Sequence, residues 1–278
     1  MNAPALSGEG VAPAAGAGEL ESGQMATKGS ILEVADLGAA YGPFDALFDV
    51  TFAIGRGQAV ALVGANGAGK STVARVVTGL VPATGGRVIF DGEDITNRSA
   101  HDIANRGIAH LTEGRSVFAT LTVEENLVLP FRRALGRKAV PRALGEAYER
   151  FPRLGERRGQ SAGTLSGGEQ RMLALARVLV LRQPLVVVDE LSFGLAPVVV
   201  EEVYAALTQV LDAGTSLLII EQHVERALEL AHQVVVLTKG RVAYDGSVAA
   251  VRGRLGDLVL GRGNEMPESA GPAPDSPG

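Results

Sequence analysis

From Ile31 onward, apolar and polar positions alternate in short pieces. ILEVADL, ALFDVTFAI and QAVALVG are separated by Gly, Pro and Asp, which predicts three strands. In STVARVVT, Ser71 to Thr78, the apolar residues are spaced as on a buried helix, and the pattern stops before Gly79 and Pro82. RVIFDG predicts a further strand and turn. From about Ala100 to Arg182 the character changes to mostly helical, with Thr122 and Glu125 in the T-x-x-E spacing of a capping box that opens EENLVL. That stretch is expected to form a helical subdomain. Strand and helix then alternate again: PLVVVDE, apolar enough to be buried on both faces, is followed by the helix VVVEEVYAALTQVLDAG, the strand SLLIIEQ, the helix VERALELA and the strand QVVVLTKG. Such alternation predicts an α/β fold on a mostly parallel sheet.

The ends of the chain read differently. Met1 to about Ser30 is rich in Ala, Gly, Pro and Glu and has no charged segment leading into a compact apolar one, so residues 1–30 are expected to be a disordered tail. GRGNEMPESAGPAPDSPG, from Gly261, has the same character, which leaves 31–261 as one folded domain and 262–278 as a second tail. No repeat at a period of 20–50 residues lies between them.

Composition narrows the chemistry. With 278 residues the chain can bury a core that needs no cross-links, and with no cysteine it excludes disulfides, thiolate catalysis and zinc–thiolate sites, in keeping with a reducing cytosol. A formal net charge of -5 offers no basic footprint, so no nucleic-acid partner is expected. Hydrophobic residues make up 46% of the chain, yet no apolar run approaches the roughly 20 residues of a membrane-spanning helix. Any membrane role must run through a partner.

Three motifs carry chemistry. Gly64 to Ser71, GANGAGKS, fits G-x-x-x-x-G-K-[ST] and lies between a predicted strand and a predicted helix, where the backbone of Gly64, Ala65, Asn66, Gly67, Ala68 and Gly69 can surround phosphates. Lys70 is expected to reach the β- and γ-phosphates of ATP or GTP, Ser71 to ligate Mg2+, and Thr72 to stand in the same contact shell. LVVVDE ends its strand in two carboxylates: Asp189 is a candidate for the magnesium beside Ser71, and Glu190 for the group that orients or deprotonates the attacking water. LSGGEQ, Leu165 to Gln170, runs straight into a helical stretch, so Ser166, Gly167, Gly168 and Glu169 make a second anion-binding surface at a helix start.

LSGGEQ together with the other two motifs is similar to the signature of ABC ATPases, and the resemblance extends from Ile31 to about Gly261. It implies a P-loop NTPase ABC cassette: a mostly parallel core sheet, an antiparallel β edge and a helical subdomain at about 100–182. It also implies that the signature contacts the γ-phosphate of ATP held by a second ATPase subunit, paralogue or self, so that a sandwich dimer carries two composite sites. Tyr41, in AAYGPFDAL, matches the aromatic that stacks on adenine. FDGEDIT, GIAHLTEGRSVFATLTVEENL, FPRLGERRGQSAGTLSGGEQRMLALARVL and DELSFGLAPVVVEEV resemble the shorter ATPase subunit of branched-chain amino acid importers. ATPases of urea and short-amide importers are similar. Transmembrane permease partners, an indirect link to a solute-binding protein and a place on the cytoplasmic face of the cell membrane follow from the resemblance. A soluble ABC ATPase of translation or DNA repair is the competing reading, but the chain has neither a second cassette nor long coiled coils nor a basic balance.

Some positions depart from the general pattern. Glu113 stands where most ABC ATPases have a glutamine near the magnesium site, and Ala196 where the loop after the carboxylate pair ends in aspartate; the narrower family shares both. Leu191 replaces the proline that usually follows the carboxylates, which predicts a softer turn. In IIEQHVERAL, aligning Ile219 and Ile220 with the end of the apolar run puts Gln222 where the family has its γ-phosphate histidine and starts the next helix at His223; a shift of one residue restores His223 to that role. His101, His110 and His232 have no metal-ligand spacing and are expected to pack or face solvent. FRRALGRK and GERRGQ read as solvated helix faces, with docking to a membrane partner or anionic lipid as a second reading.

Overall fold

The computed structural model describes residues 29–112, 116–221 and 224–251, together with Gly253 and Gly256. The described residues open with a long antiparallel hairpin, β1 (Ser30–Tyr41) and β2 (Phe44–Gly55), then enter β3 (Ala59–Gly64) and α1 (Lys70–Val77). β4 (Ala83–Phe90), β5 (Glu93–Asp94), α2 (Ala100–Arg106) and β6 (Ile108–Thr112) follow. Next come α3 (Val123–Leu135), α4 (Val140–Arg150), α5 (Pro152–Glu156) and α6 (Gly167–Leu181). The remainder is β7 (Leu185–Asp189), α7 (Pro197–Asp212), β8 (Ser216–Ile220), α8 (Val224–Leu230), β9 (Gln233–Thr238), β10 (Arg241–Ser247) and α9 (Val248–Val251).

Two sheets form. β2-β1-β4-β5 is antiparallel throughout, and β10-β9-β3-β8-β7-β6 is parallel except for its edge strand β10. This is the P-loop α/β architecture that the alternating pattern and the motifs predict. Period two explains why the parallel sheet is so apolar. Leu185 and Val187 of β7 point to one face, where they join Leu62, Val73 and the antiparallel sheet; Val186 and Val188 point to the other, against Leu175, Leu179 and Leu207. Both faces are covered, so no polar position is tolerated within β7 or β8 short of the strand ends.

A third apolar core is built by α3 to α6 from Val123, Leu127, Phe131, Leu154, Leu173 and neighbours. Here the structure refines the expected subdomain. Within the stretch that reads as mostly helical, β6 pairs in parallel with β7, and Ile103 of α2 and Ile108 of β6 are buried in the core beneath the main sheet. The helical core therefore begins at α3. α6 is apolar on nearly all sides because it serves two cores: Ala174, Leu175 and Val178 face the sheet, while Leu173, Ala176 and Val180 face the helical core. α3 and α6 both start with a complete capping box, Thr122 with Glu125 and Ser166 with Glu169.

Candidate active site

The loop between β3 and α1 is shaped by backbone that only glycine can supply. Gly69, the N-cap of α1, has φ +106, and a Cβ there would lie 2.7 Å from Leu47 Cδ2. Gly64 leaves β3 so close to β9 that a Cβ would meet the Leu237 carbonyl oxygen at 2.3 Å. Ala68 N–H donates to Ala65 O at 3.1 Å, and Ala68 O accepts from Gly240 N at 3.0 Å, which ties the loop to the β9–β10 turn. Lys70 Nζ, buried, donates to Gly64 O at 2.9 Å and Ala65 O at 3.1 Å, so its ammonium sits inside the curl of the loop. Burial lowers the Lys70 pKa, opposed by the charges of Glu190 and Asp189.

β7 delivers the carboxylates. Asp189, its last residue, accepts from Ser71 Oγ at 3.2 Å, and burial raises its pKa, with the neighbouring Glu190 charge adding to the rise against the Ser71 bond. Glu190 has already left the strand: its φ is +52 and its N–H donates to Ile220 O at 2.9 Å. The turn brings Glu190 into the wall of one cavity of about 410 Å³, together with Tyr41, Asn66, Gly67, Gly69, Lys70, Ser71 and Thr72. Tyr41 stands at the hairpin end of β1, 42% exposed, its hydroxyl accepting from Arg75 Nη1 at 3.3 Å. A positive loop, a hydroxyl beside a carboxylate, a second carboxylate and an exposed aromatic face thus surround a space suited to a nucleoside triphosphate.

The donor set suits magnesium. One hydroxyl and one carboxylate supply hard oxygen ligands, and a carboxylate held back from water by burial gains most from a cation. No cluster of three or more His, Cys, Asp or Glu gathers among the described residues, and Mg2+ needs none, since it keeps waters and shares substrate phosphates.

The signature stands elsewhere. Ser166 caps α6, its Oγ accepting from Glu169 N at 3.3 Å, while Glu169 Oε2 accepts from Ser166 N at 3.0 Å and Oε1 faces Arg157 Nε at 3.3 Å. Neither these residues nor Gly167 and Gly168 line the cavity around Lys70; Ser166, Gly168 and Glu169 border a separate one of about 370 Å³ against α5 and α7. The structure therefore gathers Tyr41, the loop, Asp189 and Glu190, and holds Ser166, Gly168 and Glu169 apart. Glu113, Gln222 and His223 lie outside the described residues.

Of the other histidines, His232 Nδ1 accepts from Ala59 N at 3.1 Å, His110 Nδ1 meets Thr78 Oγ1 at 3.2 Å, and His101 lies beside Arg133 on the surface. None has a ligand role in this arrangement.

Sequence reasoning assigns no role to three residues that shape the site. Arg171 of α6 donates to Leu191 O at 2.8 Å and Phe193 O at 3.2 Å, and the Glu221 carboxylate accepts from Ser192 N and Ser192 Oγ at 3.0 and 2.7 Å. The turn that Leu191 was expected to soften is thus held by side chains, and Leu191 itself is fully buried. A carboxylate directly after the apolar run LLII is the one signal in the sequence that pointed there.

Comparison with known proteins bears on what this arrangement does. A family model described as "ABC transporter" matches residues 47–192. A high-affinity branched-chain amino acid transport ATP-binding protein, BraG, of Pseudomonas aeruginosa is 38% identical over 228 residues, covering 80% of this chain and 95% of that protein. A probable branched-chain amino acid transport ATP-binding protein, LivF, of Archaeoglobus fulgidus is 36% identical over 218 residues, covering 78% and 92%. A lipopolysaccharide export system ATP-binding protein of Haemophilus influenzae is 32% identical over 220 residues, covering 78% and 91%. Among solved structures, the ATP-binding subunit of an ABC transporter superposes with a TM-score of 0.73 at 27% identity, covering 84% of this chain and 99% of that one.

Proposed function

The chain belongs to the ABC transporter ATP-binding family, and on that premise we propose that it is the ATP-hydrolysing subunit of an importer for branched-chain amino acids. The observation that carries the ATPase chemistry is the placement of Ser71 Oγ 3.2 Å from Asp189 Oδ1 at the mouth of the loop that encloses Lys70, with Glu190 in the same cavity wall. The solute follows from the relatives: the two branched-chain amino acid transport proteins share 38% and 36% identity with the chain, against 32% for the lipopolysaccharide export protein.

On this reading the loop N–H groups and the start of α1 hold the phosphates of ATP, and Lys70 moves its bonds from the carbonyls of Gly64 and Ala65 to the β- and γ-phosphates. Tyr41 offers its ring to the adenine. Ser71 and Asp189 would hold Mg2+, which neutralises charge developing on the phosphate oxygens. Glu190 orients the attacking water and takes its proton. Gln222, or His223 if the register shifts by one, supplies a γ-phosphate contact, and Glu113 reports the state of the magnesium site to the helical subdomain.

Ser166, Gly167, Gly168 and Glu169 serve the nucleotide of a second ATPase subunit, paralogue or self. The separation of the signature from the Lys70 cavity within one chain supports that division of labour. Among the described residues no helix is long and apolar enough to cross a membrane, so transmembrane permease chains must supply the pathway and a solute-binding protein the substrate. The chain then works at the cytoplasmic face of the membrane, and its net charge of -5 fits no nucleic-acid role.

Reconstitution tests the reading. In proteoliposomes holding the chain with permease subunits and the second ATPase subunit of a branched-chain amino acid importer, internal ATP should drive uptake of labelled leucine or valine in the presence of the binding protein. ATP turnover without uptake of any branched-chain amino acid, but with transport of urea or a lipid, would retain the ATPase and reject the solute.

A further inference from the structure

We infer that Glu221 is a positioning residue for ATP hydrolysis: with Arg171 it clamps the turn Leu191–Phe193 and so fixes the carboxylate of Glu190. The inference rests on the reading of Glu190 as the group that acts on the water. β8 is apolar from Leu217 to Ile220, yet the next residue is a carboxylate only 2% exposed. A charge is retained in such a place only if it is well bonded. Glu221 grips one residue twice, Oε1 accepting from Ser192 N at 3.0 Å and Oε2 from Ser192 Oγ at 2.7 Å.

Arg171, itself buried, takes the opposite polarity of the same turn, donating from Nε to Leu191 O at 2.8 Å and from Nη2 to Phe193 O at 3.2 Å. Acceptors at 191 and 193 and donors at 192 are therefore captured by two side chains of opposite charge, one from α6 and one from the end of β8. Glu190 needs such support. It is a non-glycine residue at φ +52, a conformation that persists only where the surroundings impose it, and the proline that would stiffen the turn is replaced by Leu191. Residues 190 and 192 are tied to the consecutive residues 220 and 221, through Glu190 N to Ile220 O at 2.9 Å and through the Glu221 carboxylate. The strand end is thus a template for the turn. Arg171 also donates from Nη1 to Gly167 O at 3.1 Å, so the clamp joins the first turn of the signature helix to the Glu190 turn.

None of Glu221, Ser192 and Arg171 lines the nucleotide cavity, so loosening the clamp should leave ATP affinity in place and misplace only Glu190. A misplacement of about 1 Å lowers a rate by roughly 100-fold.

The test compares Glu221→Leu, which removes both acceptors, Ser192→Ala and their double substitution in the assembled transporter, with Glu190→Gln as the control. We expect kcat to fall about 10- to 100-fold in Glu221→Leu, KM for ATP to stay within about twofold, and the double variant to be no slower than Glu221→Leu alone. Ser192→Ala removes a single hydroxyl, so it carries the test if Glu221→Leu does not fold. Wild-type kcat in both single variants, or a loss matched by KM or by the unfolded fraction on thermal melting, overturns the inference. An inactive Glu190→Gln beside an unaffected Glu221→Leu rejects the clamp alone, whereas normal turnover by Glu190→Gln rejects the parent reading and the clamp with it.

Discussion

Glu190→Gln isolates the proton from everything else that Glu190 does. The amide keeps the length of the side chain, and the backbone bond from residue 190 N to Ile220 O, 2.9 Å, is untouched, as are the bonds of Ser192 to Glu221. Glutamine meets the left-handed backbone, φ +52, with no more strain than glutamate does, so stability should change little. What is lost is a base, for which the usual penalty is about 10²–10⁴ in rate, or roughly 3–5.5 kcal/mol in the barrier. Binding should move the other way or not at all. Glu190 supports the Lys70 ammonium by its charge, and removing that negative charge from the cavity wall makes the space more favourable to a triphosphate. Single-turnover phosphate release should therefore slow by at least 10²-fold, while equilibrium binding of ATP is as tight as in the unaltered chain or tighter and size-exclusion shows a persistent dimer. Phosphate release within about threefold of the wild-type rate would refute the assignment of the base.

Three further outcomes are expected. Lys70→Ala should abolish tight ATP binding, and mixing that chain with Ser166→Ala should restore partial turnover, because both lesions can fall on one composite site; failure to complement where mixed dimers demonstrably form would count against signature action across the dimer. Gln222→Ala should slow hydrolysis far more than His223→Ala, with no step in the rate–pH profile at a histidine pKa, whereas the reverse ranking would place the register one residue off. His110, lowered to about 4 by burial and then by the Arg75 charge, is favoured neutral in the fold, so its share of stability is intact above its ordinary value of 6.5 and is lost as pH falls toward 4. That share is about 3 kcal/mol, and denaturant titrations of His110→Gln across this window should show a flatter acid limb than wild type.

Much of the candidate site's geometry was legible in the sequence because its motifs are local. A glycine-rich turn between strand and helix, a carboxylate at the end of a buried strand and a Ser-x-x-Glu helix start are each specified within fewer than ten residues, and their hydrogen bonds close within the same span, as in the two capping boxes. The strands β3, β7 and β8 were equally plain, since a strand buried on both faces must be apolar short of its ends. β6 was not. IAHLT is short and only partly buried, and it becomes a strand by pairing Ile108–Thr112 with Leu185–Asp189, 77 residues onward, which no local pattern encodes.

Tertiary structure also decided how the site is divided and held. Sequence alone predicted two phosphate-binding surfaces on one chain; in the fold α6 packs between two cores and Ser166 does not line the Lys70 cavity. The clamp on the Glu190 turn joins Arg171 and Glu221 to residues 20 to 29 positions away. A buried arginine within a helix and a buried glutamate after a strand read, one residue at a time, as ordinary polar positions. Only when the strands stack and the helix docks do their charges find the bare backbone groups of the turn, because partners of buried charge are fixed by proximity in the folded chain and not by spacing along it.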